Sequence, residues 1–172
     1  DGEIAAVGDR ATAEAALPEV HEVVDVGGRT LAPGFIDAHV HLFDPANLPH
    51  AWLSGVPAID RAYRPADLDR LSAPVKVDGI VFVEVDVDDP HHLDEARWVE
   101  KLGEADPRIR ALVSGMPLEK GVSVEADIAE YAKLPHARGV RRLMQKHAGE
   151  PGWSLQPDFV ADVPVMVVGA DG

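Results

Sequence analysis

His39 and His41 stand two residues apart in the run Pro33-Gly34-Phe35-Ile36-Asp37-Ala38-His39-Val40-His41. Side chains on a strand alternate with period two, so both imidazoles, together with Asp37, leave one face. Neutral imidazole nitrogens suit a borderline cation such as zinc. The chain has no cysteine, so thiolate metal sites and disulfides are excluded, and histidines and carboxylates remain as ligands. His39 and His41 are therefore the candidate ligands of a divalent metal, zinc first.

Three further residues are candidates for substrate contact. Glu84 follows the apolar stretch Ile80-Val81-Phe82-Val83. A carboxylate delivered by such a strand can accept hydrogen bonds from substrate hydroxyls, or hold a metal-bound histidine from behind. Arg141 and Arg142 lie on another strand-like run, where parity sends one guanidinium inward and the other toward the helices. The sequence does not say which. An inward arginine can fork onto a carboxylate or a polarised carbonyl. Gln145 shares the parity of Arg141, and that pair is assigned to the site with Glu84. Trp52 and Trp153 are candidate pocket walls. Asp86, Asp88 and Asp89 read as a solvated acidic turn, with Asp88-Asp89-Pro90 looking like a helix start instead. His50, His91, His92, His136 and His147 lack ligand-like spacing and are expected at the surface.

These residues need elements to carry them. Residues 1–34 hold two short β-type stretches, 3–7 and 22–26, around an Ala-rich segment at 10–17. Strand 1 is expected over 35–41, followed by a long Pro-rich loop over 44–64. A short helix is expected over 65–73 with Pro65 at its first position. A strand over 79–85, almost continuously apolar, suits burial on both faces. A helix over 92–104 should end at Gly103 and Pro107. A third strand spans 109–116, a helix capped by Ser123 runs to 133, and strands four and five occupy 139–144 and 163–168. Between these last two, only 157–162 offers a helix. Alternation of this kind argues for parallel βαβ units. In a barrel of such units the catalytic groups sit at the C-terminal strand ends.

The lead-in Asp1-Gly2-Glu3-Ile4-Ala5-Ala6-Val7-Gly8 and the stretch from Val24 to Asp37 resemble the entry to the amidohydrolase superfamily, a β-sandwich flank followed by a His-x-His on barrel strand 1. From Ile36 onward the chain resembles the sugar-lactone hydrolases of the amidohydrolase-2 type. The matching stretches include Ile36-Asp37-Ala38-His39-Val40-His41-Leu42-Phe43-Asp44-Pro45, Val77 to Val85, Glu95 to Val99, Gly139 to Gln145 and Pro151 to Val160. The resemblance implies a (β/α)8 TIM barrel, present here for about its first half over residues 35–172, preceded by the β-rich flank of residues 1–34. It implies a hydrolase opening a sugar-derived aldonolactone by attack of activated water. Further metal ligands of the family come from strands 5, 6 and 8. In this chain only Asp171 is available to serve as one, and strand 4 lacks the Lys or Glu that bridges two metals in binuclear relatives.

A complete barrel takes roughly 250 residues, and this chain has 172. The expectation is a truncated chain with little lactonase activity and a tendency to self-associate as a homo-oligomer. Two other readings compete with a lactonase. One is a metal-dependent amidohydrolase of cyclic or acyl amides, suggested by residues 1–34. The other is a non-catalytic, self-associating fragment. The net charge of −14 argues against a nucleic-acid partner and against anionic membrane surfaces. No apolar run approaches a transmembrane length. A cysteine-free chain suits the reducing cytoplasm, its expected location.

Overall fold

The computed structural model describes residues 34–157. The N-terminal flank, the fifth strand, Asp171 and nearly all of the 157–162 helical stretch lie outside the described residues. Four strands, β1 (Phe35–Val40), β2 (Val77–Val83), β3 (Ile109–Gly115) and β4 (Ala137–Arg141), form one parallel sheet in chain order. Parallel neighbours require a crossover between strands. Helices α1 (Pro65–Ser72), α2 (His92–Ala105) and α3 (Glu125–Tyr131) lie in the three connections. This is three βα units and a fourth strand, the arrangement of part of a (β/α)8 barrel wall. No helix among the described residues is long and apolar enough to cross a membrane.

The core explains the apolar runs. Ile80 and Phe82 of β2, with Ile109 and Leu112 of β3, are fully buried, and so are Ala96 and Val99 of α2. Burying one such aliphatic or aromatic side chain contributes about 1.5–3 kcal/mol. Ala96, Val99 and Gly103 recur at helical spacing on the face of α2 turned to the core. Gly103 does not end this helix, as its type suggested. A Cβ there would lie 3.4 Å from the His136 ring, so the glycine marks a close approach. The helix stops two residues later, where Asp106 turns extended before Pro107.

Two other boundaries also moved. Ser123 does not cap α3: its hydroxyl donates to the Lys120 carbonyl at 2.8 Å, within the 3-10 segment Leu118–Val124. The helix therefore starts at Glu125 and is shorter than its pattern. Strand β4 begins and ends earlier than expected. Tyr131, buried at the end of α3, places its hydroxyl against the carbonyls of Leu112 and Gly139, tying α3 to β3 and β4. Burial pushes this phenol up to about 12.

The loop after β1 is ordered by its own ends. Phe43 and Tyr63 form an antiparallel bridge through backbone bonds of 3.1 and 2.8 Å, and Arg64 pairs with buried Asp44 beside it. Within it lie the short 3-10 segments Ala51–Gly55 and Pro57–Ile59.

Candidate active site

The C-terminal strand ends open onto a cavity of about 520 Å³, lined by His39, His41, Trp52, Glu84, Val85, Asp86, Arg141, Leu143 and Gln145. The five residues singled out from the sequence thus meet on one surface. His39 and His41 share a face as strand alternation requires, with ring centroids 4.9 Å apart in an edge-on arrangement. The His39 backbone N–H donates to Asp37 Oδ1 at 3.1 Å, so Asp37 secures the backbone between them.

The hydrogen bond that orients His41 comes from the main chain. Its Nδ1 lies 2.9 Å from the Val83 carbonyl, an oxygen that only accepts, so Nδ1 carries the hydrogen. The lone pair is then on Nε2, the tautomer that suits a metal ligand. Two imidazoles make part of a tetrahedral set, and among the described residues no group of three or more His, Cys, Asp or Glu gathers as a metal cluster. The donors present fit a divalent ion as two of its ligands.

Glu84 is buried, at 3% exposure, and is not a solvated strand end. Its Oε1 accepts from Arg141 Nε at 2.7 Å, and its Oε2 from the Asp86 N–H at 2.6 Å. Arg141 Nη2 also donates to the Glu84 carbonyl at 3.1 Å. The clasp joins the ends of β2 and β4 across β3, where Gly115 leaves room for it. A Cβ at that position would lie 3.2 Å from Glu84 Cγ. The choice between the two arginines is now settled. Arg141 faces the cavity, while Arg142 turns to Glu119 at 2.6 Å with its guanidinium 5.8 Å from the Trp153 ring. Gln145 reaches the cavity from a 3-10 turn, Gln145–His147, beyond β4. Strand parity is therefore not what places it there.

Several sequence expectations need correction. Asp86 is no solvated acid: it lines the cavity at a positive φ of 53°, a region Asp tolerates better than most residues. Asp88 neither idles in solvent nor starts a helix. Its carboxylate accepts the Ala51 N–H at 2.9 and 3.1 Å and fixes the loop after β1. Trp52 is a wall, held by its indole N–H on the Val85 carbonyl at 2.9 Å. Trp153 instead stacks on His147, with centroids 3.8 Å apart. Of the histidines assigned to the surface, His50 and His92 are buried. His92 and His136 bond Asp127 and Glu100 at 2.9 and 2.8 Å. Their partners lie far off in sequence, so no local pattern announces them.

No family model matches the chain. Dihydroorotases of Bacillus thuringiensis and Bacillus cereus are 49% identical over 45 residues, 26% of this chain and 9% of theirs. Amidohydrolase 2 from Bifidobacterium longum subsp. infantis superposes with a TM-score of 0.54 at 27% identity, covering 74% of this chain and 45% of that one. An amidohydrolase from Burkholderia multivorans with bound zinc does so at 0.57 and 24% identity, covering 74% and 43%. The chain thus spans under half of these solved amidohydrolases and about a tenth of the dihydroorotases. One likeness lies in sequence and the other in backbone, and both support the same grouping, the amidohydrolase superfamily.

Proposed function

We propose that the chain carries the first half of a hydrolase site for a sugar-derived lactone, with His39 and His41 holding a divalent metal, zinc first. The observation that carries this reading is the convergence of both imidazoles, Glu84, Arg141 and Gln145 on one cavity wall. Such a wall suits a small ring rich in oxygen. A bound metal would polarise the ring carbonyl and lower the pKa of water. The protein's own part is orientation. The Val83 carbonyl fixes the His41 tautomer. Arg141, held by Glu84, offers a planar cation to the carbonyl or ring oxygens. Gln145 can donate to and accept from hydroxyls, and Trp52 closes one side.

The short match to dihydroorotases favours a second substrate class, cyclic amides. Assay of the purified protein with zinc on aldonolactones, a hydantoin-type ring and N-acyl amides separates the two. Turnover of lactones alone supports the first reading. Turnover of the cyclic amide alone replaces it.

A further inference from the structure

His50, from the loop after β1, and Glu95, from the first turn of α2, meet behind the cavity wall with side chains each 1% exposed. His50 Nδ1 lies 2.8 Å from the Leu48 carbonyl, so that nitrogen carries a hydrogen. His50 Nε2 and Glu95 Oε2 are buried without a hydrogen-bond partner. Nε2 stands 3.9 Å from Glu95 Oε1, which accepts the Val85 N–H at 3.3 Å.

The proton count follows from this geometry. With Nε2 bare and the carboxyl ionised, two acceptors would face each other out of water around a buried charge. With both groups protonated, a lone imidazolium would be buried. One proton held between them leaves the pair neutral overall, the arrangement that burial favours.

The pair is wired to the cavity. Val85, whose N–H rests on Glu95, takes the Trp52 indole N–H on its carbonyl. The His50 ring meets Trp52 edge-on at 6.5 Å. Asp88 completes the seam, accepting from Ala51 and donating its own N–H to the Pro49 carbonyl at 3.0 Å. We propose that His50 and Glu95 form a one-proton latch that holds this stretch of loop, and Trp52 with it, as a cavity wall, and that loss of the proton loosens it. The latch does not depend on which substrate the site takes.

The other charged groups acting on the pair are Asp88, in the β2–α2 connection, and Glu84, at the end of β2. Both are acids, and both favour retaining the proton. Burial works hardest against a charged imidazole, yet the neighbouring Glu95 carboxylate, the bond to the Leu48 carbonyl and the field of Asp88 hold His50 above its usual 6.5. Burial first, then the charge of Glu84, raises Glu95 as well. Both shifts are upward, so the folded chain grips the proton more tightly than the unfolded chain does. The latch proton is therefore held at pH 6.5 and lost as pH rises through the folded value.

Nuclear magnetic resonance of the unmodified chain tests this. The His50 ring is identified by its proximity to the Trp52 and Phe43 rings. The expected result is a His50 midpoint above 6.5, with the Trp52 indole N–H shifting at the same midpoint and exchanging with solvent faster beyond it. Glu95→Gln should lower the His50 midpoint by about one unit or more. A His50 midpoint at or below 6.5, or a Trp52 resonance unmoved through the His50 transition, would overturn the proposal. Both of these readings come from the unmodified chain, so they decide even if the variant fails to fold.

Discussion

Arg141→Met is the most informative single change to the clasp. It removes the donor to Glu84 Oε1 at 2.7 Å and the donor to the Glu84 carbonyl at 3.1 Å. It leaves a carboxylate at 3% exposure with the Asp86 N–H as its remaining donor in the clasp. Breaking a buried ion pair from one side costs about 3–5 kcal/mol. The Arg141 side chain is 29% exposed, so water can reach part of the vacated space, and the lower end applies, about 3 kcal/mol. Glu84→Leu combined with Arg141→Met removes both charges together. The cost then reduces to roughly that of one orphaned N–H, about 1–2 kcal/mol. Urea unfolding of the wild type, both single variants and the double variant closes the cycle. A coupling of at least about 2 kcal/mol is expected. Losses that simply add, or an Arg141→Met cost below about 1 kcal/mol, would show that the clasp is not a desolvated pair and that this reasoning is wrong.

Zinc titration by calorimetry should show binding abolished in His39→Ala and His41→Ala and retained in His91→Ala and His136→Ala; equal losses across the four refute the ligand assignment. Gly115→Ala should destabilise by about 1–3 kcal/mol, because the new methyl crowds a Glu84 side chain already bonded on both oxygens; an unchanged urea midpoint contradicts it. Tyr131→Phe should cost about 1–2 kcal/mol by depriving two buried carbonyls of a donor. Its phenol is raised from 10 to about 12 in the folded chain, so its contribution is complete below pH 10 and lost as pH rises through about 12. The variant should lack that alkaline slope in stability, and an identical slope in both proteins argues against the burial effect.

The strand framework was legible in the sequence because β2 is buried along most of both faces, leaving the run Ile80-Val81-Phe82-Val83 that few other environments tolerate. The shared face of His39 and His41 was legible because period two is a property of the strand itself. The choice of Arg141 over Arg142 was not legible, since it depends on where β4 stops and on Glu84 and Glu119, each from a different element. Burial of His50 was hidden for a similar reason: its partner arrives on α2. The Val83 carbonyl that orients His41 has no residue-type signature, because every residue has a carbonyl. Gln145 was assigned by a parity argument that does not apply to the turn on which it sits.

The Phe43–Tyr63 bridge gives the loop after β1 the character of an exchangeable module. Its two ends are clipped together before the chain proceeds to α1, so the geometry of the sheet is insulated from whatever the loop contains. Stretches 49–52 are stitched to the β2–α2 connection, but the exposed residues from Ser54 to Arg61 make up the outer arc. Doubling the length of a closed loop costs only about 0.6 kcal/mol in chain entropy. Insertions in that arc can therefore be taken up in solvent while His39, His41 and the clasp stay where the strands put them. A graft of foreign sequence between Ser54 and Arg61 is the natural place to add to this scaffold, with the bridge as the fixed clip on which each new segment is mounted.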